Sequence, residues 1–355
     1  MRGSRTSALF LLLPVLFTAC RSGSGHGDPA PASAPARDSL ALDGVNARIV
    51  ADPSNAALYL ERGKLYLRMD SVRRAMEDHE RAVKLDSTNV YYHLTLGDVY
   101  YGHAHVEEAM RQYQKALDLD PKDRQARLKL AEMDLVLRKY QQGMDLVNEV
   151  LKEDPNIAHG YFLKGWIHME THDTTKALSS FRTAVEQDPQ DYDAYIMLGK
   201  LSAAKHDPLA AQYYATAAAL RPRSIEAWYN KGIYHQDHGE DSLALDCYAH
   251  ILAIDSTNAV AYYNRGWVKL EHLGDLGGAK ADFSKAIALQ PNYFDAWYNR
   301  GVAMERSAQL DSAAANYQVT LSIVPGHPLA LEALDRLQAK GVRIKMREKS
   351  RTKGA

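Results

Sequence analysis

Cysteine is what this chain has least of: two in 355 residues, Cys20 and Cys247. So few can build neither a disulfide framework nor a thiolate zinc site, and Cys247, inside an amphipathic segment, reads as a small buried hydrophobe. Phe is scarce at 6 beside Tyr at 21, a bias that suits half-exposed aromatic positions where the hydroxyl stays wet. The chain also lacks a glycine-rich phosphate loop, a nucleophile elbow and a zinc-protease helix motif, so neither catalysis nor a cofactor is expected. Among 14 histidines, His168 and His172 lie one helical turn apart, but no carboxylate or thiolate set completes a metal site around them. The apolar run from Ala8 to Phe17 is too short to cross a bilayer as a mature helix.

That run follows Arg2 and Arg5 and leads into Leu16-Phe17-Thr18-Ala19-Cys20. Small residues before a cysteine, straight after an apolar run, resemble the bacterial lipoprotein signal, with Phe17 where Leu is more usual. The resemblance implies cleavage before Cys20 and lipidation of Cys20, anchoring the chain to a membrane with roughly 0.8 kcal/mol per buried methylene. Arg21 in place of Asp after Cys20 implies the outer membrane by the sorting rule of enteric bacteria. An ordinary secretory signal with a chance cysteine, or an uncleaved anchor, are the other readings. From Arg21 to Arg37 the composition turns to Ser, Gly, Ala and Pro, a tether with nothing to bury.

The body of the chain is periodic. A proline or serine recurs at Pro53, Ser87, Pro121, Pro155, Pro189, Pro222, Ser256, Pro291 and Pro325, separated by 33 to 35 residues. In phase with it run Gly63, Gly97, Gly165, Gly199, Gly232, Gly266 and Gly301, with Ala131 as the substitute, and the aromatics Tyr113, Phe181, Tyr214, Tyr248, Phe283 and Tyr317, replaced by His79 and Val147. This 34-residue helix-turn-helix pattern resembles the tetratricopeptide repeat. The resemblance implies an all-α fold, a right-handed superhelical solenoid of eight helix pairs. The expected organisation is a signal peptide at 1–19, lipidated Cys20 and linker at 20–37, a capping helix at 38–55, repeats at 56–327, a second capping helix at 328–339 and a basic tail at 340–355. The glycines are expected where two helices meet backbone to backbone. The fifth repeat is one residue short near Pro208 and the seventh one long near Gly274, and both changes are assigned to the turn between helices. Arg127 at a large apolar position and Asp134 at a tyrosine position make the third repeat the expected soft point.

The last three repeats share a motif: Trp228-Tyr229-Asn230-Lys231-Gly232, Tyr262-Tyr263-Asn264-Arg265-Gly266 and Trp297-Tyr298-Asn299-Arg300-Gly301. In this family first helices line the inner groove. Asn230, Asn264 and Asn299 resemble the asparagine ladders that grip an extended peptide, since an amide carries a donor and an acceptor that can bond peptide backbone whatever its sequence. Tyr229, Tyr263, Tyr298 and Trp267 would add flat contact area. The competing reading has the tyrosines packing between repeats and the asparagines bonding locally. A second class is recognition of glycan or peptidoglycan, with Tyr263, Trp267 and Trp297 stacking on sugars, or regulation of a cell-wall enzyme. A third is end-to-end self-assembly.

Without the leader and the tail, the array and tether carry about −9, which argues against nucleic acid as ligand. The tail from Lys340 to Lys353 is strongly basic. It reads as a solvated end, as a contact to anionic lipid or cell-wall polymer, or as a segment docking on an acidic protein. The expected function is a non-enzymatic, membrane-anchored scaffold that binds a protein or peptide partner, in assembly of cell-envelope complexes.

Overall fold

The computed structural model describes residues 34–344; the leader, Cys20, nearly all of the tether and the tail beyond Ile344 lie outside the described residues. These contain eighteen helices and no strand. They divide into two units, one ending at Ala177 and the other beginning at Leu178. A lone α1 (Ala34–Ala51) precedes the pairs α2 (Ala56–Arg68) with α3 (Val72–Leu85), α4 (Val90–Gly102) with α5 (Val106–Leu119), and α6 (Arg124–Val136) with α7 (Tyr140–Glu153); α8 (Ala158–Glu170) and α9 (Thr174–Gln187) follow in the chain. Then come α10 (Tyr192–Ala204) with α11 (Leu209–Leu220), α12 (Ile225–Asp237) with α13 (Asp241–Ile254), α14 (Ala259–Glu271) with α15 (Leu276–Leu289), α16 (Phe294–Arg306) with α17 (Leu310–Ile323), and a closing α18 (Pro328–Ala339). Within each unit consecutive helices pack on one another, the stacking of helix pairs that characterises a tetratricopeptide solenoid.

The helix ends follow from local chemistry. The residue before each Pro or Ser is extended, as at Asp120 (φ −133°, ψ 95°) and Gln290 (φ −136°, ψ 88°), which a following proline favours. Asp52, Asp86, Asp120, Asp154, Asp188 and Asp255 each accept, at Oδ1, the backbone N–H two residues on, at 2.9–3.3 Å. Such Asx turns start the link to the next repeat. The turn inside each repeat passes through one left-handed residue: Asp70, Ala104, Arg138, His172, His206, Gly239, Gly274 or Ala308. The next N–H reaches back to a helix carbonyl, Ser71 to Tyr66 at 2.8 Å and Glu240 to His235 at 2.9 Å, closing a Schellman motif.

The two length changes differ in kind. The extra residue of the seventh repeat does lie in the turn, where Asp275 N–H reaches Lys269 O at 2.8 Å. The missing residue of the fifth does not. Asp207 N–H still bonds Ser202 O at 2.9 Å, while Ala210 N–H bonds Asp207 O at 3.1 Å, three residues back, where Ala177 and Ala244 reach four back. The deletion therefore tightens the first turn of α11, behind Pro208, whose φ of −62° already suits a helix start.

The repeated glycines also have a different reason from the one expected. A Cβ on Gly301 would lie 2.7 Å from Cε1 of Tyr317, and one on Gly232 2.9 Å from Cε1 of Tyr248; Gly97 and Gly199 likewise face the rings of Tyr113 and Tyr214. These four glycines are thus sockets for the aromatic ring of the partner helix, while Gly63 faces both the His79 ring and, at 3.3 Å, the backbone carbonyl of Ala75. Tyr113, Phe181, Tyr248, Phe283 and Tyr317 are fully buried, worth about 1.5–3 kcal/mol each. The third repeat keeps the volume by exchange: Ala131 stands at the socket and the smaller Val147 at the ring position, both buried.

A second repeated contact links each first helix to the turn before it. Trp228 Nε1 donates to Pro222 O at 2.9 Å and Trp297 Nε1 to Pro291 O at 2.8 Å; Tyr59 does the same to Pro53 O at 3.1 Å. Arg127 occupies this position and makes this contact, Nε to Pro121 O at 3.1 Å, with Nη1 on Glu153 at 3.0 Å. It is therefore a satisfied substitute, and of the two reasons for softness in the third repeat only Asp134 stands, buried with its carboxyl raised by desolvation. Cys247 is a free, buried thiol pushed up to about 11 by burial, too high for ready reaction.

At the end of the second unit α18 is fastened to α16 through Glu305, which accepts Arg336 at 2.9 Å twice, Lys340 at 3.3 Å and Tyr317 Oη at 3.0 Å. The Arg336 hydrogen bond holds its carboxyl down at about 2.

Two outcomes are expected. Ala308→Gly should raise stability by about 0.5–1 kcal/mol, because relief of left-handed Cβ strain (roughly 1–2 kcal/mol) exceeds the added unfolded-state entropy; Gly239→Ala should lower it comparably, both read from urea midpoints. Glu305 contributes stability that is fully present above about pH 4.5, its ordinary value, and that fades as pH falls through about 2. Amide protection factors in α18, corrected for the intrinsic rate at each pH, should therefore fall across that window in the wild type, and Glu305→Gln should flatten the response.

Candidate peptide-binding face

First helices of successive repeats touch one another, α6 with α8, α10 with α12 and α14 with α16, so within each unit they present a shared face. A register repeats along it. The residue at the ninth position of one first helix meets the second or sixth position of the next. Lys64 Nζ donates to Tyr91 Oη at 2.9 Å, Lys129 Nζ lies 3.2 Å from Asp98 Oδ1, His159 Nε2 lies 2.6 Å from Glu132 Oε1, and Lys200 Nζ donates to Glu226 Oε1 at 2.8 Å. These junctions are closed by the chain's own side chains. Although burial opposes the charge of Glu132, His159 and Lys129 outweigh it and hold the carboxyl below its usual range.

The register continues differently in the last repeats. The same helix positions in the last repeats hold Ile233 on α12 and Val260 on α14, Trp267 on α14 and Asp295 on α16, and Val302 on α16 and Leu329 on α18; Val260 is 40% and Leu329 51% exposed. Ion pairs here lie elsewhere on the helices, Arg306 with Glu271 between α14 and α16 and Arg336 with Glu305 between α16 and α18.

The asparagines fall into three different states. Asn299 Nδ2 donates to Tyr263 Oη at 3.0 Å across the α14–α16 junction. Asn264 is 7% exposed and its Nδ2 has no partner, although the same register sets Tyr229 where Tyr263 stands for Asn299. Asn230 is half-buried on α12. Ser202 Oγ and His235 Nε2 are also unpartnered, but both sit five residues beyond the asparagine position.

The tyrosines do pack between repeats. Tyr263 lies against Phe283 at 5.8 Å and Tyr293 at 4.9 Å between centroids, and burial pushes the phenols of Tyr263 and Tyr293 up. Tyr298 contacts Tyr317 at 5.6 Å and His327 at 5.3 Å. Tyr229 packs on the cluster of Ala244, Tyr248, Ile251 and Val268, and Trp267 beside Tyr263 on Leu270, Phe283 and Ala303. All four rings remain partly exposed. Trp297, a candidate sugar platform, carries the Arg300 guanidinium 4.5 Å over its ring, so one stacking face is taken.

Three groups escaped the sequence reading. Arg265 grips Asp282 through Nε at 2.9 Å and Nη2 at 2.6 Å, with Lys269 Nζ at 2.8 Å. This bidentate pair between α14 and α15 fixes the helix that carries Asn264. Its signal was present: Arg62 and Asp78 form the same pair in the first repeat, at 2.7 Å twice, and an arginine followed by an acid 16 or 17 residues later marks both. Asp295 and Tyr293 gave no such signal. Among the described residues no group of three or more His, Cys, Asp or Glu could hold a metal ion, and no helix is long and apolar enough to cross a membrane.

Three segments match family profiles: residues 90–123 and 158–191 match a tetratricopeptide repeat, and residues 272–307 a TPR repeat. These segments of the chain carry tetratricopeptide repeats. No curated protein sequence matches it significantly. Among solved structures it is similar to MamA protein (22% identity over 48% of this chain and 94% of that one, TM-score 0.45). It is also similar to a tetratricopeptide repeat protein from Parabacteroides merdae ATCC 43184 (15%, 70% and 98%, 0.45) and to YrrB, a TPR protein with an unusual peptide-binding site (21%, 54% and 98%, 0.39).

Proposed function

We propose that this chain is a lipid-anchored scaffold of the bacterial envelope that holds an extended segment of a partner protein on the face of α12, α14 and α16. The observation that carries the reading is the buried Asn264 amide with no partner. Leaving such a donor unsatisfied costs about 1–3 kcal/mol, a cost that a peptide carbonyl laid along the helix would relieve. In the earlier repeats the corresponding helix positions are engaged by lysine, histidine and carboxylate contacts. The partly exposed rings of Tyr229 and Trp267 flank it, and rigid aromatic surface binds at low entropic cost. The anchor is Cys20, set off from the repeats by the Ser-, Gly- and Pro-rich tether, and outer-membrane placement rests on Arg21 after it.

Asn264→Leu separates this reading from a structural one. It should raise the urea midpoint, by about 1 kcal/mol through loss of the unsatisfied donor, and abolish recovery of partners in crosslinking pull-downs from native envelopes. A fall in stability with partners retained would make the amide structural. Cys20→Ser should move the chain from the membrane to the soluble fraction and end palmitate labelling; unchanged fractionation would remove the anchor.

A further inference from the structure

The third helix pair, α6 with α7, holds a carboxylate that the fold gives nothing to bond. Asp134 is 5% exposed, and among the described residues no hydrogen bond or ion pair engages its side chain. The same place on other first helices holds Tyr100, which donates to Glu80 at 2.7 Å, Lys269, which donates to Asp282 at 2.8 Å, and His235, which meets Glu240. At Asp134 the seam between the helices is narrow. A Cβ on Gly143 would lie 3.4 Å from Asp134 Cβ, 3.2 Å from Ala131 O and 3.6 Å from Ile167 Cδ1, so α7 and α8 set a glycine and an isoleucine beside the acid. Burial raises the carboxyl, and Lys139, in the turn before α7, is the one charged group that opposes this; α5, α7 and α8 add no other. An unpaired charge so placed is disfavoured by its own desolvation. The pair also has less apolar surface to hold it, since buried Val147 stands where other second helices seat a ring.

The two helices are unequally held by their surroundings. Lys129 ties α6 to Asp98 of α4 at 3.2 Å, and Glu132 ties it to His159 of α8 at 2.6 Å. The later turns of α7 are tied as well, Glu153 to Arg127 at 3.0 Å and Asn148 to Lys164 at 3.1 Å. In its first two turns, which meet Asp134 through Gly143, Tyr140 Oη reaches Glu170 only at 3.4 Å. Independently of the peptide-binding reading, we propose that α6 and α7 form a proton-controlled joint in the first unit: with Asp134 ionised the first two turns of α7 lift from α6, and with Asp134 protonated they seat on it. Because burial raises the folded carboxyl, the seated pair binds the proton more tightly than the lifted one. The stability this contributes is fully present below the ordinary 3.8 of the carboxyl and is lost as pH rises through the raised folded value. Glu132, two residues away, behaves oppositely: although burial opposes its charge, His159 and Lys129 hold its carboxyl below the usual range. Acid therefore seats α7 before it frees α6 from α8. The response is the reverse of that at Glu305, where acid loosens α18.

The test is hydrogen exchange read by mass spectrometry on the full chain, from about pH 7 to about pH 3, with protection factors corrected for the intrinsic rate at each pH. In the wild type, protection of residues 140–147 should rise as pH falls and level off below about 3.8. The rise should be about tenfold for each unit by which the folded carboxyl exceeds its unfolded value. Asp134→Asn, which keeps the shape without the charge, should hold these residues near the acid level at every pH, and Asp134→Leu, which removes the polar group, should do the same. In α3, whose pair carries Arg62 on Asp78 at 2.7 Å twice, no such rise is expected. Wild-type protection of residues 140–147 that stays flat, or a rise that persists in Asp134→Asn, would overturn the joint. A rise shared by α3 would make the response global and overturn it as well.

Discussion

The structure depends on one steric constraint, an aromatic ring at the middle of each second helix seated where the first helix has no Cβ. Any side chain at Gly97, Gly199, Gly232 or Gly301 would collide with the ring it faces. Overpacking of this kind costs about 1–3 kcal/mol, more than the roughly 0.5–1 kcal/mol by which glycine weakens a helix. With ring and socket engaged, the approach of the two helices is set. Every pair then has nearly the same form and can stack on the next with the same residues in contact. Where the ring shrinks to Val147, the socket fills to Ala131, so what persists is the combined volume and not the residue type.

Because the pairs are alike, the contacts between them can be compared junction by junction within each unit. Closed junctions spend their polar groups on each other: Lys64 with Tyr91, Glu132 with His159, Lys200 with Glu226. Along α12, α14 and α16 a buried amide, Asn264 Nδ2, is left over. Arg265 and Lys269 on Asp282 hold that region rigid from behind, so the unsatisfied Asn264 is not free to turn away toward water. Under the proposed function, the unsatisfied amide on this braced helix is the group a ligand would satisfy.

Much of this could be read along the chain. Spacing alone gives the helix pairs, and Pro and Asp mark their ends through local rules that need no tertiary contact. The Trp-Tyr-Asn and Tyr-Tyr-Asn runs mark α12, α14 and α16, the helices of the proposed face. Arg127 misled because its composition is charged while its contact, a donor to the preceding carbonyl, is the one Trp228 makes. The deletion near Pro208 misled because a count of residues shows that one is missing but not which hydrogen bond shortens to absorb it. The left-handed turn residues left no trace, since Asp70, Ala104, Arg138, His172, His206 and Ala308 share a backbone angle and no chemistry.

The sequence by itself determined the period, the helix pairing and the identity of the recurring apolar positions, because these follow from nearest-neighbour sterics repeated every 34 residues or so. Only the tertiary structure decided which of three identical asparagines has a free amide. Asn299 finds the Tyr263 hydroxyl and Asn264 finds nothing, a difference of side-chain placement across a junction between helices that lie 35 residues apart in the chain. Hydrogen bonds have a short range and a strict angle, so chain spacing can bring a donor to the neighbourhood of an acceptor but cannot say whether the bond closes.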